Sequence, residues 1–427
     1  MAFAGENSID MIVAYLAIVG VGAVAVPLSP INPTTVIEHE LAAVGAGMLV
    51  VGSGTSIDIS VPTVAIVEIR DLDHGDAPIV DCAADDLAVL LFTSGTAGAP
   101  KAAMLSHGNL LSNQQQTQSG PEPLLVSDVV LGVLPLDHIF GLNVMLGITL
   151  AAGASLVIVP RFEAVATAAT VARNQVTVIS GVPAMWAQFV ANESIPADSF
   201  SSVRFGFSGA APLPNELVVA MRERFDVTLS EGYGLTEASP VVTTSAGQVA
   251  VPGSVGRVVP GVEVRLVDDE GSDVLDGDPG EVWVRGPNVF LGYWNDAEAT
   301  SRVLTIDGWL RTGDIATVDD SGRLYLVNRS KDLIIVSGFN VFPAEVEQVL
   351  ATHPTVAESA VVGIAHSTTG EAVKAYVVLN EGALLDPADL VAHCRKQLAR
   401  YKCPSEIVAI EELPKGAGGK VLRRLLR

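Results

Sequence analysis

The 427-residue chain is poor in cysteine and in positive charge. Cys82, Cys394 and Cys403 form neither a disulfide framework nor a metal-ligand spacing, which argues against a stapled secreted scaffold and fits a reducing cytoplasm. Lys and Arg number 25 against 48 Asp and Glu, a net charge of −23, which makes a poor nucleic-acid binder. No low-complexity tract and no repeat of solenoid period is present. One apolar run, Met11 to Leu28, has membrane-spanning length. It lacks a basic flank, with only Glu6 and Asp10 before it, so it is a poor signal peptide. Gly20 and Gly22 interrupt it and Pro27 closes it, which predicts a buried helix to about Ile18, a glycine stop and a short buried strand. Met145 to Pro160 repeats that order, and such a recurrence favours core over an integral membrane segment.

What is present is a chain 49% hydrophobic, ample for a large core and for two or more domains. To about Gly234, helical and strand patterns alternate. Strands are expected at 48–53, 62–70, 87–93, 128–134, 155–159, 176–180 and 203–208, and helices near 34–45, 141–152, 183–192 and 214–225. That alternation predicts layered α/β units with largely parallel sheets. From about 251 to 327, short strands at 262–267, 281–285 and 323–327 lie between Gly/Asp/Pro turns, which predicts a small antiparallel or barrel-like subdomain. From 331 onward, strand, helix, strand, strand, helix and strand predict a compact α+β unit. The expected division is therefore 1–329, a large α/β domain with its barrel-like subdomain, and 330–427, a small α+β domain.

The apolar run Leu87–Phe92 leads into Thr93-Ser94-Gly95-Thr96-Ala97-Gly98-Ala99-Pro100-Lys101. Glycines allow close approach and hydroxyls can face an anion, so this stretch is either a phosphate loop or a Ser/Gly/Pro surface turn. No Gly-Lys-Ser/Thr closes it, which excludes a Walker A loop. His138 and Phe140, in Leu134 to Gly141, could line a pocket, although a histidine at a strand end is more often structural. Phe207-Ser208-Gly209-Ala210-Ala211-Pro212 ends a strand and could let a flat ring lie on its backbone, or be a tight packing turn. In Glu231-Gly232-Tyr233-Gly234-Leu235-Thr236-Glu237, Tyr233 between two glycines is expected to offer an exposed ring face. Thr236 and Glu237 supply hard oxygens of the kind Mg²⁺ takes beside phosphate, or a loop turn with a solvated acid. Asp314, after Gly313, could accept both hydroxyls of a ribose or be a turn aspartate. Arg329 to Asp332 reads as a linker. Lys420, behind Gly416, Gly418 and Gly419, is a tail charge or a mobile cation.

The order and spacing of these motifs resemble the adenylate-forming superfamily, which includes acyl-CoA synthetases, from about residue 8 to the C-terminus. They are most similar to bacterial fatty-acid–CoA ligases. The resemblance implies an ATP- and Mg²⁺-dependent acid–CoA ligase. It makes acyl-AMP and pyrophosphate, then passes the acyl group to coenzyme A and releases AMP. It implies that Thr93, Ser94, Gly95, Thr96, Gly98 and Lys101 hold the ATP phosphates. Gly209, Ala210, Ala211, Gly232 and Tyr233 would frame the adenine, and Thr236 would contact phosphate. Glu237 would hold Mg²⁺, and Asp314 and Arg329 the ribose. His138 and Phe140 would line the acyl and nucleotide pocket, with Trp186 and Ser208 shaping its walls. Gly338 would face the pantetheine channel. Lys420 would serve adenylation, and the small domain would swing about the hinge Lys331 between the half-reactions. The partners implied are small molecules, with a homodimer open. The alternatives are an acyl-AMP ligase loading a carrier protein and a non-catalytic nucleotide- or acyl-binding relic.

Departures from the family pattern are Ala97, Ala102, Asn328, Gly416 and Gly418, and none removes a charged group. Met1-Ala2-Phe3-Ala4 reads like the middle of a family strand. The several tens of residues that members usually carry ahead of it are expected to leave a sheet edge exposed by their absence.

Overall fold

The computed structural model describes every residue except Pro33, Ser56, Asp58, Val67, 69–77, 94–100, 249–250, Asp269, Asp276, 330–333, 337–338, 367–368, Ala399, 417–420 and Arg427. Two compact units emerge: Met1–Val264 with Trp283–Arg311 and Asp320–Leu324, and Arg265–Val282 with Thr312–Asp319 and Tyr325–Arg427.

In the first unit, the short strand Ala2–Ala4 lies between Val26–Leu28 and Leu49–Val51, parallel to both, with Thr63–Ala65 beyond. Ala2–Ala4 has partners on both sides. The apolar run behind it gives a helix, a turn and a short buried strand in the expected order, but the helix buries only Met11, Ala14 and Ile18 and leaves Ile9, Val13 and Leu16 exposed. Helix Ile9–Gly20 starts on Ser8, whose hydroxyl accepts from the Met11 N–H at 3.2 Å, and Gly22 turns the chain at φ +73°. Among the described residues, no helix is long and apolar enough to cross a membrane.

A seven-stranded sheet holds most of the remaining strands. Its order is Arg257–Val258, Val241–Thr244, Leu229–Gly234, Phe205–Ser208, Val178–Gly181, Val129–Gly132, Ser155–Ile158. The last five are parallel, and the first two are added antiparallel. Side chains alternate across a strand, so Phe205 and Phe207 share one face while Gly206 opens the other. There Trp186 lies fully buried against Gly206 and Gly181. Phe162, Phe189, Phe200 and Phe225 continue that core as edge-on ring pairs 4.8–5.3 Å apart. Trp186 is thus an anchor of the core behind the sheet.

Helix His107–Gln118 follows directly from strand Lys101–Ser106 and is polar all round. It buries Leu110 and three amides, Asn109, Asn113 and Gln116, which hold the segment 287–289 and the start of strand Val241–Thr244. Asn109 donates to the Pro287 and Val289 carbonyls at 2.8 Å each. Asn113 exchanges two bonds with the Val241 backbone at 2.8 and 2.9 Å. Gln116 donates to Asn288 Oδ1 at 3.3 Å. Asn288 in turn donates to the Ala238 carbonyl and accepts, at its own carbonyl, from the Ser239 hydroxyl, both at 2.8 Å.

A four-stranded sheet runs Glu263–Val267, Gly280–Arg285, Leu310–Val318, Leu324–Arg329. In the second unit, Val356–His366 and Gly370–Leu379 form a long antiparallel pair, flanked by Ile334–Val336 with Phe339–Val341 and by Glu406–Ala409. Helices Pro343–Ala351 and Pro387–Arg395 each begin on proline, whose fixed φ suits the first turn. Val361, Val373, Val377, Val346, Leu350 and Cys394 fill the core, and burial pushes the Cys394 thiol up to about 11. Cys82, Cys394 and Cys403 are all free thiols.

Candidate active site

Strands Leu87–Thr93 and Lys101–Ser106 pair antiparallel with Thr93 opposite Lys101, so the ends of the glycine-rich stretch stand side by side. The Thr93 hydroxyl donates to the Lys101 carbonyl at 3.4 Å. Ser94, Gly95, Thr96 and Gly98 lie outside the described residues, as do Lys331, Gly338 and Lys420.

A segment unremarked in the sequence binds the far side of Lys101–Ser106. Leu291 N–H donates to the Met104 carbonyl at 2.9 Å, Met104 N–H to Gly292 at 2.9 Å, and Trp294 N–H to Ala102 at 2.8 Å. Phe290 N–H donates to the Glu237 carbonyl at 2.9 Å. This brings Tyr293 between two expected site residues. Its hydroxyl donates to Glu237 Oε1 at 2.7 Å, and the Lys101 ammonium sits 5.2 Å from its ring centroid. Lys101 also lies 4.0 Å from Asp296 Oδ2. Burial first, and then the Glu237 charge, push the Tyr293 phenol far above its ordinary value, so it is a donor at any working pH.

Glu237 and Thr236 are half-buried on the short turn Thr236–Ala238. The amides fix that turn: Asn288 holds Ala238, Asn113 holds Val241, and Asn143 donates to the Ser239 carbonyl at 2.6 Å. Among the described residues, no group of three or more His, Cys, Asp and Glu could hold a metal. One carboxylate beside one hydroxyl suits Mg²⁺, which takes one or two protein carboxylates and completes its shell with phosphate and water.

The second grouping lies where parallel strands end, the usual binding edge of an α/β sheet. Gly209 follows Phe205–Ser208, and a Cβ there would sit 3.3 Å from the Phe140 ring. Ala210 is left-handed at φ +68°, and Ala211 beside it is exposed. The Phe140 and Phe207 rings meet edge to face at 5.9 Å. His138 Nδ1 accepts from the Phe140 N–H at 3.1 Å, which places the proton of the neutral ring on Nε2. Part of that ring is exposed, yet the surrounding atoms lower its pKa against the pull of Asp137. Ser208 is fully buried, and its hydroxyl meets no partner among the described residues.

Tyr233 differs from expectation. It is 8% exposed, buried on strand Leu229–Gly234 opposite Thr243 rather than offering a free ring face. Glu231 just before it accepts from the Leu213 N–H at 3.0 Å, and burial raises its pKa to about 7 despite that bond.

Past Phe207 lies a cavity of about 60 Å³ lined by Val130, Val144, Ile148, Val178, Phe205 and Phe207, with Ser180, Val241 and Thr244. No lining residue is cationic, and the only charged one is Glu122, paired with Arg204 at 3.0 Å.

In the second unit, Asp314 is buried on strand Leu310–Val318. Its N–H donates to Thr312 Oγ1 at 3.1 Å, and the Gly313 N–H donates to Glu281 at 2.9 Å. Arg329 ends strand Leu324–Arg329.

Comparison with known proteins fits this arrangement. The family described as AMP-binding enzyme matches residues 1–294, and its C-terminal domain matches 345–420. The chain belongs to the AMP-binding enzyme family. Among relatives of this family, a long-chain-fatty-acid–CoA ligase of Yersinia pestis is 45% identical over 347 residues, 80% of this chain and 61% of the relative. A 4-coumarate–CoA ligase of Narcissus pseudonarcissus is 36% identical over 99% of this chain and 82% of its own length. The chain thus spans about three fifths of the fatty-acid ligases it matches. An ATP-bound MatB from Rhodopseudomonas palustris superposes with a TM-score of 0.92 at 32% identity, covering all of this chain and 88% of that one. The AMP-binding fold, with its large N-terminal and small C-terminal parts, is therefore the architecture of this protein.

The sequence overlooked Tyr293 and the amides Asn109, Asn113, Asn143, Gln116 and Asn288. The polar character of 107–118 was the signal for Asn109, Asn113 and Gln116: a helix without an apolar stripe, lodged next to a buried strand, must bury hydrogen-bonding groups.

Proposed function

We propose that the protein is an ATP- and Mg²⁺-dependent acid–CoA ligase acting on an acid with an apolar tail, a fatty acid. The cavity beyond Phe207 carries the reading. Its walls are mainly aliphatic and aromatic, with Thr117, Gln118, Ser180 and Thr244 among them, and its only charge is negative. An apolar chain gains by entering such a space, whereas a second carboxylate would be desolvated without a cation. That argues against dicarboxylic acids. Phe207 adjoins Phe140 and Gly232, so the tail would lie in the sheet with the reacting carboxyl toward the strand ends.

In this reading Lys101, with Thr93 and the residues between them, holds phosphate. The hydroxyl of Thr236 contacts phosphate, and the carboxylate of Glu237 offers oxygen to Mg²⁺, whose charge would offset that building on the phosphates. Gly209, Ala210, Ala211, Gly232 and the backbone at Tyr233 frame the adenine. Asp314 and Arg329 serve the ribose, Gly338 the pantetheine channel and Lys420 adenylation, with 330–427 swinging about Lys331 so that Lys420 leaves before the thiol attacks. His138, whose Nδ1 accepts from the Phe140 N–H, is kept as pocket lining.

Pyrophosphate release by the purified chain tests this, using ATP, Mg²⁺ and acids from acetate to palmitate, with and without coenzyme A. Release that depends on a chain acid and yields acyl-CoA is expected. Release indifferent to coenzyme A would mean carrier loading, and none from a folded chain would mean a binding relic. Lys420→Ala should abolish pyrophosphate release and spare thioester formation from supplied acyl-AMP. Equal loss of both steps would sink the swing.

A further inference from the structure

Tyr293 touches both charged residues of the first site grouping. Its hydroxyl donates to Glu237 Oε1 at 2.7 Å, and its ring faces the Lys101 ammonium 5.2 Å from the centroid. Three separated parts of the chain meet there, and the backbone holds them firmly. The Tyr293 N–H donates to Thr300 Oγ1 at 2.9 Å, its neighbours zip onto Ala102 and Met104, and the Phe290 ring packs edge-on to its own at 5.0 Å. A phenol so anchored has one direction in which to donate.

We propose that Tyr293 is a positioning residue that fixes one oxygen of Glu237 and thereby aims the other at the cation carried in with the nucleotide. This deepens the ligase reading and rests on it. A glutamate on a short turn has three rotatable bonds and two equivalent oxygens. Tying Oε1 to a neutral donor leaves Oε2 as the free donor atom and removes the entropy of searching for a pose. The ring also steers Lys101 through its π face, so the positive and negative members of the site share one support.

The test is ATP affinity of the full chain by calorimetry, with and without Mg²⁺, beside the Mg²⁺ dependence of pyrophosphate release. Tyr293→Phe keeps the ring and deletes one oxygen. Its affinity for Mg²⁺-free ATP should stay within about twofold of the parent, since the ring contact to Lys101 survives. The gain in affinity on adding Mg²⁺ should fall roughly 10-fold, the usual effect of losing an outer partner of a metal-ligating group, and the Mg²⁺ needed for half-maximal release should rise equally. A purely structural role would change both affinities together.

Glu237→Asp draws the carboxylate out of reach of the phenol while keeping its charge. In that background Tyr293→Phe should change the Mg²⁺ gain no further; additive losses would overturn the proposal, as would a Tyr293→Phe protein with the parent's Mg²⁺ gain. If the parent chain's ATP binding ignores Mg²⁺ altogether, the ligase reading fails and takes this proposal with it.

Discussion

The ring of Phe207 occupies the place a side chain on residue 232 would need: a Cβ built on Gly232 would sit 2.4 Å from Phe207 Cζ and 2.9 Å from the Thr243 carbonyl oxygen. Glycine at 232 is therefore a packing requirement between adjacent strands, apart from any contact to a nucleotide. Gly232→Ala should lower stability by about 1–3 kcal/mol through overpacking. Phe207→Leu should recover part of that loss, leaving the share due to Thr243. A double-mutant cycle by urea denaturation measures it, and strict additivity would refute the contact.

Phe207 also limits the cavity. At about 60 Å³, the space is smaller than the roughly 150 Å³ pocket that accepts benzene, so a long tail enters only when this ring moves or is absent. Phe207→Ala should shift the preferred acid toward longer chains, raising kcat/KM for long acids relative to short ones about 10-fold or more. An unchanged chain-length profile would show that the tail lies elsewhere.

Glu231 predicts a pH effect. Its pKa in the fold, about 7, is above the ordinary 4.5, so the folded chain binds this proton more tightly than the unfolded one. Its contribution is present below about pH 4.5 and is lost as pH rises through 7, a change of order 1–3 kcal/mol. Glu231→Gln keeps an acceptor for the Leu213 N–H and removes the ionisation. The variant's melting temperature should match the parent near pH 4.5 and exceed it by a few degrees at pH 8. A difference that does not vary with pH would refute the burial argument.

Asn113→Ala should destabilise the protein by about 2–4 kcal/mol, because it leaves the N–H and carbonyl of Val241 without their side-chain partner. Leu111→Ala, on the side opposite the amides and 53% exposed, should change stability by under about 0.5 kcal/mol. Chemical denaturation of both variants checks the contrast. The buried amide Asn113 is thus more sensitive than the exposed leucine Leu111.

Much of the first unit was legible because its strands and helices follow ordinary periodicities. Strand 87–93 was expected and is Leu87–Thr93; helix 34–45 is Thr34–Val44; helix 214–225 is Asn215–Phe225. The segment 141–152 was read as one helix, but Phe140–Gly147 is a π-helix that passes into α-helix at Ile148. Hydrophobic spacing cannot register that change, since every residue from Phe140 to Leu146 is buried. Helices His107–Gln118 and Ala164–Asn174 escaped because the first has no apolar stripe and the second is built of small residues. In the site, glycines and charges stood out by type, whereas Tyr293 matters through contacts with residues far away in sequence, Lys101 and Glu237. No local pattern encodes those meetings.

The long strand Val356–His366 alternates between two apolar clusters. Val361 faces one with Val346 and Leu350; Ala360 and Val362 face another with Leu413 and Leu426. A sheet clad on both sides has its own cooperative core, separate from the aromatic core behind the seven-stranded sheet. Heat should therefore melt this chain in two calorimetric events rather than one, and a destabilising change in either core should move only its own peak.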